Sequence, residues 1–353
     1  MAVTLKDKFR GCIMGAHIGS AMGAAVEGWP YEKIEHTYGL VTDFLPYEHY
    51  DNGWLREPGT TEDGIERQKL MITAIMEKDD RVNAEDVRKA WLDHANPNAG
   101  GLVSEPFEGV LLAMARSGIP ARDLGRYCDY AGLNSFSRAC HPIALMNAGN
   151  IRTAIEDVLE VGQLYQTTNS RGLMWACVTG VAIASATKPG ATVDSVIGDV
   201  LDNCDRKWVT EELERELNKT QHIKDIRELR AYFDGVYNGN GMPYAFSYAN
   251  EVVTKGMCIF QMVKGNTAEA VIAGVNMGRD TDCVAAVAAG ITGALGGTAS
   301  IPQRWIDQLE KATQLNPHTN TRRTMIENAD AVYTAYCNRL QREKAFAETM
   351  LAQ

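Results

Sequence analysis

The stretch GRDTDCVAAVAAGITGALGG, residues 278–297, decides the class of fold. After Asp282 it contains no charged residue, and its side chains are almost all small and apolar. A helix without a polar face has to be buried on every side, because no part of it gains from contact with water. The sequence therefore predicts a protein in which this segment forms a central helix.

Apolar residues recur at helical spacing along most of the remaining chain. The segments with this spacing are 65–76, 84–92, 107–114, 154–164, 173–186 and 268–275. Alternating runs of β-branched residues are almost absent, and short breakers rich in proline, glycine and asparagine separate the helical segments, as in helical bundles. We therefore predict an all-α fold, a single compact helical domain over residues 1–353, with a polar helical insertion of mixed charge near residues 202–240.

Composition restricts the function classes. The 353 residues are 45% apolar, which is enough to bury a large core, and they carry a net charge of -10. This acidic balance offers no footprint for nucleic acid or for an anionic membrane. No run of about 18 apolar residues predicts a membrane span, and the polar start of the chain does not resemble a secretion signal.

The eight cysteines are scattered, without a C-x-x-C pair or a neighbouring histidine cluster. This pattern predicts neither a zinc site nor a disulfide framework. Free thiols in a reducing cytoplasm are the simplest interpretation, so we expect a cytoplasmic protein.

Glycines recur every fourth residue near the start of the chain, at Gly11, Gly15, Gly19 and Gly23, and Glu27 is the next step of the series. Each glycine costs a helix about 0.5–1 kcal/mol relative to alanine, so the repeat needs a compensating contact. We expect a neighbouring helix to approach the glycines at backbone distance. Glu27 would then lie where this helix ends, at the edge of a buried surface.

A second polar cluster, Thr60-Thr61-Glu62-Asp63-Gly64, directly precedes the helical segment 65–76. One interpretation is a plain helix N-terminus, where threonine and aspartate cap free amides and acidic groups suit the helix dipole. The other is a group of oxygen ligands for a cation.

The third cluster is the Arg279-Asp280-Thr281-Asp282-Cys283 turn at the start of the buried helix. Two carboxylates this near each other repel and lose hydration on burial unless a cation lies between them. Oxygen ligands suit a hard divalent ion such as Mg²⁺, whereas zinc or copper favours histidine and cysteine. These aspartates are the most specific sign of a metal site in the chain.

The three clusters together resemble the ADP-ribosylglycohydrolase family in order and spacing over most of the chain. Its G-D-A-L-G…E pattern is similar to residues 19–23 with Glu27, its T-D-D-T turn to residues 61–64, and its N-x-G-G-D-T-D-T signature to residues 276–283. Weaker likenesses are Asn134-Ser135 with Arg138, which resemble a substrate-lining segment, and Gly100-Gly101, which resemble a glycine loop facing substrate phosphates.

The resemblance implies an orthogonal all-α bundle in which two distant turns converge on a binuclear Mg²⁺ or Mn²⁺ site, and for this chain we expect one or two ions. It implies a glycohydrolase acting on an ADP-ribosyl conjugate or another small-molecule glycoside, with homo-oligomerisation left open. The implied metal ligands are Thr61, Glu62, Asp63, Asp280 and Asp282. The implied catalytic residues are Glu27 and Asp63, and the implied substrate contacts are Gly100, Gly101, Asn134, Ser135, Arg138, Arg279 and Cys283.

The chain departs from the family pattern at positions that touch the site. Ser20 replaces an acidic residue, Glu62 an aspartate and Arg279 a glycine, and Gly64 and Cys283 replace hydroxyl residues. The soft thiol of Cys283 would weaken one metal position. We expect Arg279 either to substitute partly for a second ion or reach an acidic group of the substrate, or simply to pair with a surface acid.

These departures favour a small nucleoside or furanosyl glycoside over an ADP-ribosyl protein as the substrate. Two other functions remain open. A metal-dependent phosphohydrolase would need cationic groups around the phosphoryl group, for which only Arg279 and Arg138 are candidates. A noncatalytic ligand-binding descendant of the fold would show itself by loss of metal binding.

Overall fold

The computed structural model describes residues 3–48, 53–98, 106–128, 130–239 and 245–352, with only the backbone at 106–108. Within these ranges the chain forms seventeen α-helices and one short hairpin, so the predicted all-α fold is confirmed. The helices, α1 to α17 in chain order, are Leu5–Gly23, Tyr31–Tyr38, Asp63–Lys78, Ala84–His94, Pro106–Arg116, Ala121–Leu124, His141–Leu145, Ile151–Gly162, Arg171–Ala186, Val193–Asn203, Glu211–Thr220, Ile226–Val236, Ala249–Val263, Thr267–Val275, Thr281–Gly296, Gln303–Leu315 and Met325–Leu351.

Side-chain caps fix where several helices begin. Thr4 accepts a hydrogen bond from the Asp7 amide at the start of α1. Asn83 with Asp86 begins α4 by a capping box, a reciprocal pair of bonds that satisfies two amides left free by the first helical turn. These caps define the residues at which the two helices begin.

Helix α15 is the centre of the bundle. Every residue from 281 to 294 is buried, as its composition predicts. Helices α1, α14, α13 and α9 pack around it. The N-terminal end of this central helix carries the Arg-Asp-Thr-Asp turn, so the fold places that turn at the edge of the core.

The glycine stripe of α1 lies directly against α15. A Cβ atom added to Gly15 would stand 2.4 Å from the Ala289 carbonyl oxygen, and one added to Gly19 would stand 2.6 Å from the Ala285 oxygen. At Gly23 it would lie 2.5 Å from the Asp282 Cα. The expected backbone contact between helices is confirmed, and it brings the end of α1 to the predicted metal-ligand turn at the start of α15.

The hairpin pairs Tyr47–Glu48 (β1) with Leu55–Arg56 (β2) in antiparallel register. Tyr47 and Arg56 face each other in this register and are both buried. The hairpin is short, but its Tyr47 and Arg56 side chains contact the turn at residues 60–63.

The polar region near residues 202–240 consists mainly of α11 and α12. Helix α11 buries Leu213 and Leu217 and packs on α13, while Glu211 and Glu214 on its other face are exposed. The charged face is therefore solvated, as predicted. Whether the region is an insertion in a single domain stays a prediction.

All eight cysteines are free thiols, in agreement with their scattered spacing. Among the described residues, no helix combines the length and the apolar character needed to cross a membrane.

Candidate active site

The Asp280 and Asp282 carboxylates lie at the N-terminal end of α15, where the sequence places them. Asp280 Oδ2 accepts a 2.8 Å hydrogen bond from the side-chain amide, Nδ2, of Asn134. Thr281 donates a 2.8 Å bond to the Gly23 carbonyl oxygen, which ties the turn to the end of α1. The Oδ1 atoms of Asp280 and Asp282 are buried and have no hydrogen-bond partner among the described residues.

Glu27 lies beside this turn, just after α1 and a short 3₁₀ segment at Ala24–Val26. The Gly28 amide donates to the Arg279 carbonyl oxygen, and the Arg279 amide donates to the Trp29 carbonyl oxygen, each at 2.8 Å. Removal from water and the facing carboxylates of Asp282 and Asp280 raise the pKa of Glu27 well above its ordinary value. Glu27, at the end of α1, and the two aspartates of the turn at residues 280–282 thus form one cluster of carboxylates.

Asp63, the first residue of α3, reaches the same place through Arg138. The Arg138 guanidinium donates to both carboxylate oxygens of Asp63, with a 2.7 Å bond from Nη1, and its Nη1 lies 3.6 Å from Asp282. Arg67 also pairs with Asp63, at 3.1 Å. Burial would raise the pKa of Asp63, but Arg138 and Arg67 outweigh it and hold that pKa below its ordinary value.

Glu62 faces the hairpin. Arg56 Nε lies 2.7 Å from its carboxylate, and the Tyr47 hydroxyl donates to the same oxygen. Burial nevertheless raises the pKa of Glu62 to about 7, although Arg56 and Tyr47 act in the opposite direction. The Glu62 side chain, at the N-cap position of α3, caps no helix amide.

Thr61 belongs to a separate buried network. Its hydroxyl donates to Glu66 at 3.0 Å and accepts from the Lys69 ammonium group at 3.1 Å. Lys69 and Glu66 also form a 2.7 Å ion pair. The Thr61 hydroxyl therefore already has a donor and an acceptor partner in the protein.

The two predicted ligand turns differ in how well they fit a divalent ion. Asp280, Asp282 and Cys283 bring one ligand atom each to within 4.8 Å of one another, and the two partnerless carboxylate oxygens are what a cation would complete. Thr61, Glu62 and Asp63 instead point to cationic or hydrogen-bonding groups of the protein. The residues of the Asp280–Cys283 turn fit an ion, and those of the Thr61–Asp63 turn do not fit one as they stand.

Arg279 turns away from the two aspartates toward an acid of α13. Its Nε lies 2.7 Å from Glu251 Oε1 and its Nη2 lies 2.9 Å from Oε2. Glu251 also pairs with buried Lys255 at 2.7 Å. Of the roles expected for Arg279, pairing with an acid is the one present, and that acid is buried rather than on the surface.

Arg279 has an unusual backbone for a residue with a side chain, with φ at +66°. This left-handed conformation suits the glycine of the family pattern. The pair with Glu251, together with the backbone bonds to residues 28 and 29, holds the arginine in that conformation.

The remaining predicted substrate contacts lie around the same turn. Asn134 and Ser135 are buried, Asn134 against Asp280, while the Ser135 carbonyl oxygen accepts from Arg67 at 2.9 Å. Gly100 and Gly101 lie outside the described residues. Their contacts with a substrate, and that of Cys283, stay predictions.

Sequence reasoning missed the basic partners of the site. Arg67 follows Asp63 by four residues on one helix, a spacing that predicts contact and could have been noticed. Arg56 is fully buried and reaches Glu62 only because the hairpin folds back, and Glu251 meets Arg279 from a distant helix. Nothing in the local sequence marks these two pairs.

Comparisons with known proteins identify the family of the chain and support its fold. The family model described as ADP-ribosylglycohydrolase matches residues 1–341. An uncharacterised protein of Archaeoglobus fulgidus is 25% identical over 313 residues, which cover 87% of this chain and 92% of that protein. A solved structure described as an ADP-ribosylglycohydrolase-related protein complex superimposes with a TM-score of 0.66 at 18% identity, over 94% of this chain and 99% of that one, and supports the fold alone.

The family match spans all three clusters that form the acidic site, from the end of α1 to the start of α15. The chain belongs to the ADP-ribosylglycohydrolase family, and the family indicates hydrolase activity of that type.

Proposed function

We propose that the protein is a divalent-metal-dependent glycohydrolase that cleaves the N- or O-glycosidic bond of an ADP-ribosyl conjugate or of a related small ribosyl or furanosyl glycoside. The observation that carries the proposal is the meeting of Glu27 with Asp280 and Asp282. The two aspartates keep partnerless buried oxygens, which are costly without a cation. A structural role alone does not account for them.

In this proposal Asp280 and Asp282 hold the ion, with Cys283 beside them. The bound ion, Mg²⁺ or Mn²⁺, would supply Lewis-acid chemistry and orient sugar hydroxyls. Glu27 would accept a bond from the ribose or from the attacking water, next to the carbon of the glycosidic bond.

Asp63 has a positioning role in the proposal. Its two oxygens fix the Arg138 guanidinium, which in turn lies beside Asp282. The Asp63–Arg138 pair thereby holds the turn at residues 61–63 close to the turn at residues 280–283. Its catalytic and metal-ligand assignments stay predictions.

The substrate is the open part of the proposal. The altered positions Gly64, Arg279 and Cys283 all lie at the site, and they favour a small nucleoside or furanosyl glycoside over an ADP-ribosyl protein. Arg279 supports this choice, since its guanidinium is occupied by Glu251. A cytoplasmic location belongs to the proposal as well, whereas homo-oligomerisation is left open.

The test is sugar release by the purified protein. The protein is incubated with Mn²⁺ or Mg²⁺ and a panel of ADP-ribosyl conjugates, nucleosides and furanosyl glycosides, and free sugar is followed by mass spectrometry, with a chelator in the control. Chelator-sensitive release supports the proposal and identifies the substrate class. If no compound is cleaved by the folded protein, the noncatalytic binding function takes its place.

A phosphohydrolase is less well supported. Phosphoryl transfer needs cations directed at the phosphoryl oxygens. The candidates from the sequence, Arg138 and Arg279, are paired with Asp63 and Glu251.

A further inference from the structure

The acidic site contains more built-in positive charge than its sequence pattern suggests. Arg138 and Arg67 both pair with Asp63, and the Arg138 guanidinium extends to 3.6 Å from Asp282. It thus lies between the carboxylates of the two turns that the family resemblance assigns to metal binding. A guanidinium at this place neutralises the charge that a cation would otherwise neutralise.

The neighbouring departure from the family pattern makes room for this arginine. Gly64 stands where the family has a hydroxyl residue. A Cβ atom added there would lie 3.2 Å from Arg138 Cδ and 3.3 Å from its Nη1, which is tighter than ordinary van der Waals contact. A side chain at position 64 would therefore press on the arginine where it now bonds to Asp63.

The charge balance points the same way. Glu62 with Arg56 and Glu66 with Lys69 are neutral pairs. The carboxylates of Glu27, Asp63, Asp280 and Asp282 face Arg138 and Arg67, and the adjoining Glu251 pairs with Arg279 and Lys255, so five carboxylates stand against four cations when every group is ionised. One divalent ion already more than compensates the single negative charge in excess, and a second would leave the buried site with a large uncompensated positive charge, which is unfavourable at this depth.

We infer that the Arg138 guanidinium takes the place of one of the two ions implied by the family resemblance, so that the chain binds a single divalent ion through Asp280 and Asp282. The inference rests on the proposed function for the existence of the ion. It replaces the earlier expectation that Arg279 fills this role. The fixed guanidinium keeps Asp63 and Asp282 together whether or not an ion is bound.

The first experiment counts Mn²⁺ ions on the metal-free full chain, with free Mn²⁺ measured by electron paramagnetic resonance. The expected result is one ion per chain. Asp282→Asn should weaken its binding by more than about a hundredfold, whereas the matched change Asp63→Asn should weaken it by no more than about ten- to a hundredfold, as befits a residue outside the ligand set. Two ions on the wild type, no ion, or a larger loss in Asp63→Asn than in Asp282→Asn would overturn the inference.

The second experiment removes the guanidinium. Arg138→Met frees Asp63 from its bidentate partner and should raise the count from one Mn²⁺ to two, whereas Arg138→Lys retains the charge and should stay at one. A folded Arg138→Met protein that still binds one ion contradicts the substitution. If circular dichroism shows that Arg138→Met does not fold, the comparison of Asp63→Asn with Asp282→Asn decides.

The ion count and the sugar-release assay separate the two levels of the account. Two ions with chelator-sensitive sugar release would overturn the inference and leave the proposed function standing. One ion with no sugar release from any compound would support the inference and overturn the glycohydrolase activity.

Discussion

Replacing Gly15 by alanine should lower the free energy of unfolding by about 2 kcal/mol, although alanine is the better helix former. The added Cβ would stand 2.4 Å from the Ala289 carbonyl oxygen and 2.8 Å from its carbon. Ordinary contact begins near 3.4 Å, so α1 and α15 would have to separate by about 1 Å, the shortfall of the Cβ–oxygen distance.

The magnitude follows from two opposed effects. Overpacking of this kind costs about 1–3 kcal/mol, and backbone atoms on both sides leave no flexible side chain to move aside. Separation by about 1 Å also forfeits a quarter to a half of the dispersion energy of each contact along the stripe. Since both backbones are rigid here, the upper end of that range, about 3 kcal/mol, applies, and subtracting the roughly 1 kcal/mol of helix propensity that alanine gains leaves a net loss near 2 kcal/mol.

The chain offers a matched control in Gly198 of α10, where an added Cβ meets nothing within 4 Å. Gly198→Ala should therefore stabilise the protein by about 0.5–1 kcal/mol. Both variants are compared with the wild type by urea unfolding followed by circular dichroism. A Gly15→Ala protein that is as stable as Gly198→Ala would refute the view that the glycine stripe serves close backbone packing.

Three further predictions test other parts of the molecule. Burial lowers the pKa of His141 to about 4 from 6.5, so the folded state resists protonation. Stability should be full above pH 6.5 and fall by up to about 1.4 kcal/mol per unit toward pH 4, and His141→Gln should reduce this slope in urea titrations across that range. Arg279→Gly relieves the strain of the positive φ but removes two bonds to Glu251, so the free energy of unfolding should fall by about 1–2 kcal/mol. Thermal unfolding measures the change, and a gain in stability would show that the backbone strain outweighs the ion pair. Removing residues 343–353 should change the free energy of unfolding by less than about 1 kcal/mol and leave sugar release intact, because the described residues from 343 to 352 are exposed. A larger loss of stability would show that the end of α17 makes a stabilising contact.

Much of the fold could be predicted from the sequence because its strongest signals are local and each of them favours a single structural interpretation. A helix without charge beyond its first turn, such as α15, can only be central, and a glycine at every fourth position can only serve a close neighbour. Neither feature fixes the direction in which α1 runs along α15. That Glu27, Asp280 and Asp282 share one site is implied by the resemblance to the family.

The basic side of the site could not be predicted in the same way. Arg138 follows Asp63 by 75 residues and meets it only after α3 and the segment before α7 pack together. Arg279 stands beside the aspartates in sequence, but its guanidinium pairs with Glu251 of the distant helix α13. Sequence spacing identifies the acidic residues of a site more readily than the cations that reach it from other helices.

The rate of sugar release with Mn²⁺, compared between wild type, Glu27→Gln and Asp282→Asn on one cleaved compound, tests the central claim most directly. The account predicts that both variants stay folded by circular dichroism and lose more than about a hundredfold in rate, the usual contribution of a positioned acid or base. Wild-type rates in either folded variant would contradict the assignment of this acidic cluster as the active site.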